Sequence, residues 1–548
     1  MQLIDFVKGL SRADLYRMVG FTVLAGFANA LLVVAVNFVA GKVATGHQPG
    51  WFGGVTFIVV FCVYYFSGRY AMLRANSVVE RMLKRLRLRT MSALRQSELV
   101  SFEQVGSSAL SKVVAQETNH LSVAFPLLID AMQQGVLLLA SMLYLVYLSG
   151  LAFGIFCATI VIGLLGYSRI NASFKSELKQ ASLKQTEMVD RITDIIDGSK
   201  ELRLHAQKSE SVFQSYCALS AQSEALMTDA GAHMASMILL MSGVVYAMLG
   251  VVAFVLPHYA PVSHAIVFQL VPTLLFCAGA VSRIVVQIPL FIRAELGLAS
   301  IERINQQLEQ GSSAMVTQKA KEAAWLINGF KRIDYQDITY RYPAAQDDQS
   351  FTSGPWSLHL ERGEIIFLVG GNGSGKSTAL RLISLLYQSS SGNIMVDGKS
   401  TDAFARAGLR EQFSAIFGDF HLFDRLYGLE NIDAAEVQRL IDEMELTGKV
   451  SYADGRFTNL DLSTGQRKRL ALIAALLEDR PIYAFDEWSA EQDVHFRDVF
   501  YRRILPQLRA RGKTVVAVTH DERYWELADR IVKFDLGCIQ WVHQGDAR

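Results

Sequence analysis

At 548 residues the chain is too long for one ordinary core, so two or more domains are expected. Hydrophobic residues make up 51% and charged residues 19%, with mean hydropathy +0.24, which excludes an ordinary soluble protein and places the excess in lipid. The net charge of +1 offers nothing to a polyanion, so no nucleic-acid partner is expected.

The N-terminal stretch MQLIDFVKGLSRADLYRM is amphipathic and mixed in charge. It lacks a compact apolar core ending in small residues and is not read as a signal peptide. Six stretches are apolar and long enough to cross a bilayer, at about 16–41, 54–74, 122–148, 151–168, 233–257 and 262–290. The fourth starts so soon after the third that the two must form a tight helical hairpin. The sixth is the least regular, with Pro272, Arg283, Gln287 and Pro289 inside it.

Basic residues follow the second span (Arg69, Arg74, Arg81, Lys84, Arg85, Arg87, Arg89, Arg95) and the fourth (Arg169, Lys175, Lys179, Lys184). The loops at GHQPG, Ser149-Gly150 and HYAPVSH are short and nearly uncharged. The positive-inside rule then predicts a multi-pass membrane protein with both termini and the two long segments cytoplasmic. Residues 75–120 and 169–232 show helical periodicity with alternating charge, so the spanning helices should continue as cytoplasmic extensions. The five cysteines are scattered without a CxxC pair, which argues against disulfides or a metal site.

Within the spans, Asp130, Gln133 and Gln134 share one region of the third, and Arg283 and Gln287 lie one turn apart in the sixth. Polar groups in lipid are costly, so these residues are substrate-site candidates. The alternatives are a boundary position for Asp130 and simple pairing with Arg283.

Near residue 300 the composition turns polar, so the sequence divides into a transmembrane domain (1–300), a linker (301–330) and an α/β domain (331–548). In the last, β-branched runs such as EIIFLVG, PIYAFDE and TVVAVTH alternate with helical patterns, which argues for a largely parallel sheet. Ile365–Val369 leads into Gly370, Gly371, Asn372, Gly373, Ser374, Gly375, Lys376, Ser377 and Thr378, and then a helix. In this strand–loop–helix setting backbone N–H groups close around a phosphate. Lys376 reaches the β/γ-phosphates, and the Ser377 hydroxyl suits Mg²⁺. A second apolar run ends in Asp486 and Glu487. There Asp486 can hold the metal shell and Glu487 can activate water. Leu462-Ser463-Thr464-Gly465-Gln466 precedes a basic helix, Ala490-Glu491-Gln492-Asp493 follows the acidic pair, and His520 ends a third strand-like run.

In this order the motifs resemble the phosphate loop, signature, second acidic strand, D-loop and switch histidine of ABC transporters. The six spans ahead of them resemble the exporter branch. The resemblance implies a membrane protein with a six-helix exporter domain and an α/β P-loop nucleotide-binding domain, an ATPase using ATP and Mg²⁺. Catalysis would fall to Glu487, His520 and Lys376. It also implies that Ser463 and Gly465 of one chain face the γ-phosphate held by a second copy, with Gln466 and Asp493 among the nucleotide-binding residues, so a homodimer is expected. An aromatic residue upstream of the phosphate loop stacks on adenine in such proteins. Tyr342 fits, with an edge-strand tyrosine as the alternative.

Three departures narrow the likeness. Gly418, next to Asp419, stands where exporters carry a glutamine; either Asp419 substitutes at the metal or the loop serves only as a contact. The stretch 418–463 is short, and the D-loop reads AEQD. With DEWSAEQDVHFR and LSTGQRKR, these features resemble the cyclic-peptide and siderophore exporters of Gram-negative bacteria, of the microcin lasso-peptide, pyoverdine-precursor and syringomycin type. The implied activity is export of a modified or cyclic peptide or siderophore precursor, with membrane lipid around the spans and periplasmic or outer-membrane components as further candidate partners. The alternative is a lipid or hydrophobic drug exporter. The resemblance also makes turns near Ser107–Ala115 and Asp197–Leu204 the expected contacts with the cassettes, the first with its own cassette or its partner's.

Overall fold

The structure, a computed structural model, describes residues 12–44, 50–106, 110, 118–256, 264–310, 330–342, 351–401 and 403–544. It divides into two compact units: Met1–Arg95 with Gln104–Glu309, and Gln96–Glu103 with Gln310–Arg548.

The first unit is helical. In chain order the helices are α1 (Arg12–Ala44), α2 (Trp51–Gln96), α3 (Leu99–Val105, most of which belongs to the second unit), α4 (Thr118–Leu148), α5 (Gly150–Asp197), α6 (Ser199–Leu204), α7 (Ala206–Gly250) and α8 (His264–Gln310). Six of these are long and apolar enough to cross a membrane. The hairpin between α4 and α5 turns on Ser149, whose hydroxyl accepts from the Ala152 N–H at 3.3 Å and caps α5. A π turn, Val251–Val255, extends α7. Pro272 and Pro289 sit inside α8 without ending it. Neighbouring helices and side chains can satisfy the carbonyls a proline frees in such a setting. Near the first proline, Thr273 Oγ1 donates to the Gln269 carbonyl at 2.7 Å.

The extensions form because each keeps one apolar stripe at helical spacing. In α2 the stripe is Ala71, Ala75, Val78, Val79, Met82, Leu83 and Leu86, all buried, while the arginines between them face out. Phe174 and Leu178 of α5 pack on Ala230 and Met237 of α7 and on Ile292 of α8. Helix α8 runs through Gln310, so residues 301–310, expected as linker, are helical. The apolar character of Ile301, Ile304 and Leu308, all buried, carries it on. The remainder of that stretch, 311–329, lies outside the described residues.

The second unit is built on two sheets. Strands β1 (Arg332–Arg341), β2 (Thr352–Glu361), β4 (Ser391–Val396) and β5 (Lys399–Ser400) form an antiparallel sheet in the order β2-β1-β4-β5. The larger sheet runs β12-β11-β3-β10-β9-β6. It comprises β3 (Ile365–Val369), β6 (Phe413–Ile416), β9 (Ile482–Asp486), β10 (Thr514–Val518), β11 (Arg530–Asp535) and β12 (Cys538–Gln544), with only β12 antiparallel. The central strands are buried on both faces. Ile365, Phe367 and Val369 enter one core, and Ile366 and Leu368 enter the other. This period-2 split explains why these strands read as unbroken apolar runs. Between Gly418 and Ser463 lie one helix, α11 (Ala434–Glu443, α9 and α10 being Lys376–Ile383 and Ala403–Arg410), and a hairpin of β7 (Tyr452–Ala453) and β8 (Arg456–Phe457).

A buried ion pair joins the start of β3 to β11: Arg530 Nη2 pairs with Glu364 Oε1, Arg530 Nε donates to Glu364 Oε2 at 3.0 Å, and Arg530 also donates to the His359 carbonyl. Burial pushes the Glu364 carboxyl up, opposed by the arginine. Removing one partner leaves the other charge buried, so Arg530→Met should destabilise this unit by about 3 kcal/mol. Thermal unfolding of the full chain, followed through its lowest transition, checks it.

Residues 96–103 belong to the second unit. Leu99 and Val100 pack on its core, and the Tyr387 hydroxyl donates to Glu103 Oε2 at 2.9 Å. The segment seated on the second unit therefore precedes the expected 107–115. Of those, 107–109 and 111–115 lie outside the described residues. The other expected contact, at Asp197–Leu204, falls in the first unit, where α6 buries no residue.

Candidate functional site

The C-terminal edges of β3, β10 and β9, adjacent and parallel, gather one group of side chains, as open α/β sheets do. Beyond β3 the loop 370–375 turns into α9. Gly370 has φ +147°, and a Cβ there would collide with the Phe534 carbonyl, so only glycine fits. Lys376, 4% exposed, donates to the Gly370 and Gly371 carbonyls at 3.0 and 2.9 Å. Burial lowers the pKa of its ammonium, partly offset by Glu487 and Asp486. The Ser374 hydroxyl is buried and has no protein partner. A buried donor inside a ring of loop amides at a helix N-terminus fits a phosphate.

The Ser377 hydroxyl donates to Asp486 Oδ1 at 3.1 Å. Burial pushes the Asp486 carboxyl up, Ser377 pulls it down, and Glu487 raises it again. A hydroxyl and a carboxylate side by side are hard oxygen donors that fit Mg²⁺, which takes few protein ligands and fills its octahedron with water and phosphate oxygens. Glu487 follows with φ +47°, a left-handed backbone for a residue with a side chain, at a cost of roughly 1 kcal/mol. Its N–H donates to the Val518 carbonyl at 3.2 Å, and its Oε1 lies 3.1 Å from His520 Nε2. Both carboxylate and imidazole are about two-fifths exposed, open to a water.

Tyr342, just past β1, hydrogen-bonds through its hydroxyl to Thr378 Oγ1 at 3.0 Å, beside the phosphate loop. Tyr340 and Tyr387 meet its ring edge-on. Phe351, which the sequence reasoning missed, lies 6.3 Å from Tyr342 and is 39% exposed. It also borders Gly375 of the loop. An aromatic residue immediately before β2 carries no motif, so composition alone could not single it out.

The signature residues form a second group. Ser463 caps α12 (Thr464–Glu478) in a reciprocal box with Gln466: Gln466 N–H donates to Ser463 Oγ at 3.4 Å, and the Ser463 N–H donates to Gln466 Oε1 at 3.2 Å. A Cβ on Gly465 would stand 2.8 Å from the Glu491 carbonyl, so glycine is required for this close approach. Gln492 Nε2 donates to the Gly465 carbonyl at 2.9 Å and Arg469 Nε donates to Gln492 Oε1 at 3.0 Å. Asp493 accepts from the Phe496 N–H and from Arg469, and these bonds, the backbone one first, hold its carboxyl below the usual range. The signature residues and Asp493 are thus tied to each other, while Lys376, Ser377, Asp486, Glu487, His520 and Tyr342 gather at the strand edges.

Gly418 has open space where a Cβ would be, so its backbone does not demand glycine. Asp419 is 74% exposed and pairs with Arg381 at 3.3 Å, outside the Ser377–Asp486 pair. Arg381 also donates to the Tyr387 hydroxyl at 2.9 Å, which in turn holds Glu103. Asp419 is therefore engaged in the chain of contacts leading to the seated segment 96–103. Neither Arg381 nor Tyr387 was singled out in the sequence, because no motif spacing marks them.

In the helical unit, four of five candidates converge. Gln287 Nε2 donates to Asp130 Oδ2 at 2.6 Å, Gln134 Nε2 donates to Asp130 Oδ1 at 3.2 Å, and Arg283 Nη1 lies 4.0 Å from Asp130. Gln287 Oε1 is buried without a protein partner, and the Arg283 side chain is 66% exposed. Gln133 sits apart: its Nε2 faces Gly68 of α2. Positions 133 and 134 lie to either side of 130 on the helix, so only Gln134 turns toward Gln287 while Gln133 turns toward α2.

A family model described as ABC transporter matches residues 354–490. ATP-binding protein SyrD of Pseudomonas syringae pv. syringae is 27% identical over 539 residues, 95% of this chain and 93% of that protein. The macrolide export ATP-binding/permease protein MacB of Escherichia coli (strain K12) is 33% identical over 219 residues, 38% of this chain and 34% of that protein. Among solved structures, a bacterial Atm1-family ABC exporter with ATP bound superposes with a TM-score of 0.77 at 17% identity, covering 97% of this chain and 96% of that one.

Proposed function

We propose that this chain, an ABC transporter of the exporter type that hydrolyses ATP to drive transport, works as a homodimer exporting a modified or cyclic peptide, or a peptide siderophore precursor, across the bacterial inner membrane. Its termini and cassette lie in the cytoplasm, on the side of the arginine-rich extensions. The loop 370–378 binds ATP, with Tyr342 against the adenine. Ser377 and Asp486 hold Mg²⁺, which neutralises phosphate charge when bound. Glu487 takes the proton of the attacking water, His520 steadies that carboxylate and the γ-phosphate, and Lys376 stabilises the charge that develops there. Ser463, Gly465, Gln466 and Asp493 complete the partner's site.

The cargo reading is carried by one observation: Asp130, Gln134, Gln287 and Arg283 meet inside the spans, with an unpartnered amide oxygen and an exposed guanidinium. Such groups suit the amides and carboxylates of a peptide better than an acyl chain. The motif likeness to the cyclic-peptide and siderophore group and the nearly end-to-end match to SyrD support the same reading. In vesicles, ATPase stimulation should be largest with acidic cyclic peptides or peptide siderophores. Arg283→Ala should weaken their half-maximal concentration about tenfold, the loss of one charge-assisted contact. Stimulation unchanged by Arg283→Ala would remove Arg283 from the substrate site.

A second reading, export of a lipid or hydrophobic drug, is favoured by a cavity of about 300 Å³ between α4, α5, α7 and α8, lined by Phe156, Ile160, Met241, Met248 and Val285 among others. Stimulation by lipids but not by peptides would select it.

A further inference from the structure

Lys468 lies on α12, five residues after Ser463, and is 3% exposed. Its Nζ donates to the Glu487 backbone carbonyl at 3.0 Å and lies 3.3 Å from Glu491 Oε2. In return the Trp488 indole N–H donates to the Lys468 carbonyl at 2.9 Å. A buried ammonium is costly to desolvate, and its carboxylate partner Glu491 is half exposed and solvated. The contact that needs a buried, directed donor is the one to Glu487.

That residue holds φ +47° and ψ +39°, which its side chain disfavours. Its N–H is held by the Val518 carbonyl, which restrains φ; the direction of its own carbonyl follows ψ, and Lys468 sets it. Together the two bonds aim the Cα–Cβ bond and hence the carboxylate that meets His520.

We propose that Lys468 is a positioning residue for the Glu487 carboxylate, so that the signature helix of each chain orders the water-activating group of its own site. The proposal rests on the reading of Glu487 as the base. It adds to it a link from signature helix to base within one cassette, alongside the signature's role across the dimer.

The test is steady-state ATPase of the full-length protein in nanodiscs, with ATP binding measured in parallel. Lys468→Met should lower kcat about 30-fold, the effect of a misaimed catalytic group, and leave the KM for ATP within about threefold. Lys468→Arg should restore most of the turnover, and Glu491→Gln should stay within about threefold of wild type, because the lysine does not act through that carboxylate. Added to Glu487→Gln, Lys468→Met should cost little more, since both act through one group. Wild-type kcat in Lys468→Met, a change confined to KM, a loss matched by Glu491→Gln, or full additivity would each overturn the proposal. If Lys468→Met does not fold, Lys468→Gln is read by the same criteria, and misfolding of both would assign the lysine to stability and overturn it. Glu487→Gln alone separates the two readings: wild-type turnover there removes the base assignment itself, whereas a slow Glu487→Gln beside a normal Lys468→Met removes only the lysine's role.

Discussion

Glu487→Gln is expected to lower ATP turnover by about 100-fold or more while leaving ATP affinity within about threefold. The substitution keeps the size and the polar contacts of the side chain, including a partner for His520 at 3.1 Å in the parent protein. It removes only the capacity to take a proton. The phosphate loop, with Lys376, Ser374 and Ser377, is untouched, so nucleotide should bind and hold the two cassettes together for longer. Steady-state ATPase, ATP titration and the size of the cassette-closed population check it. Normal turnover would move the base elsewhere, with Asp419 first in line once released from Arg381.

Lys376→Ala and Ser463→Arg should each abolish turnover of their own homodimers, by about 100-fold or more, and a mixture of the two should regain activity. In a mixed dimer of this kind one site combines both lesions and the other combines an intact Lys376 with an intact Ser463. If half of the dimers are mixed and sites act independently, about a quarter of wild-type activity returns, the arithmetic of an isologous pair. A doubly substituted chain mixed with wild type supplies the control, because there every mixed site carries one lesion. No recovery in the complementary mixture would mean that each chain completes its own site. In this structure Ser463 is bonded to Gln466 of its own helix, the Gly465 carbonyl to Gln492, and Lys376 to its own loop, so no bond joins the signature to the phosphate loop of the same chain among these residues.

The spans were legible because lipid imposes a continuous requirement: about 20 apolar residues in a helix, read off without any partner. The strands β3, β9 and β10 were legible for a related reason, being buried on both faces and so apolar throughout. The phosphate loop was legible because Gly370 sits where a Cβ has no room. Other features left no local trace. That α8 runs on through Gln310 depends on Ile301, Ile304 and Leu308 finding a core, while the polar residues between them read as linker. Seating at 96–103 ahead of the expected 107–115 depends on Leu99 and Val100 packing on a core built from residues 330 onward, and on Glu103 meeting Tyr387, 284 residues away.

The site shows the same division. By itself the sequence determined which residue types line up at strand ends and loops, since phosphate, metal and water chemistry demand them within short spacings. It therefore named Lys376, Ser377, Asp486, Glu487 and His520, and it marked Gly418 as a gap. Only the tertiary structure decided that Asp419 is held by Arg381, that Asp130 is shared by Gln134 and Gln287, that Gln133 turns to another helix, and that Lys468 grips the Glu487 carbonyl. Apart from the Asp130–Gln134 pair, one helical turn apart, each of these joins residues distant in the chain or on different elements. Periodicity reports which face a residue occupies; what stands opposite that face is set by how the helices and sheets pack.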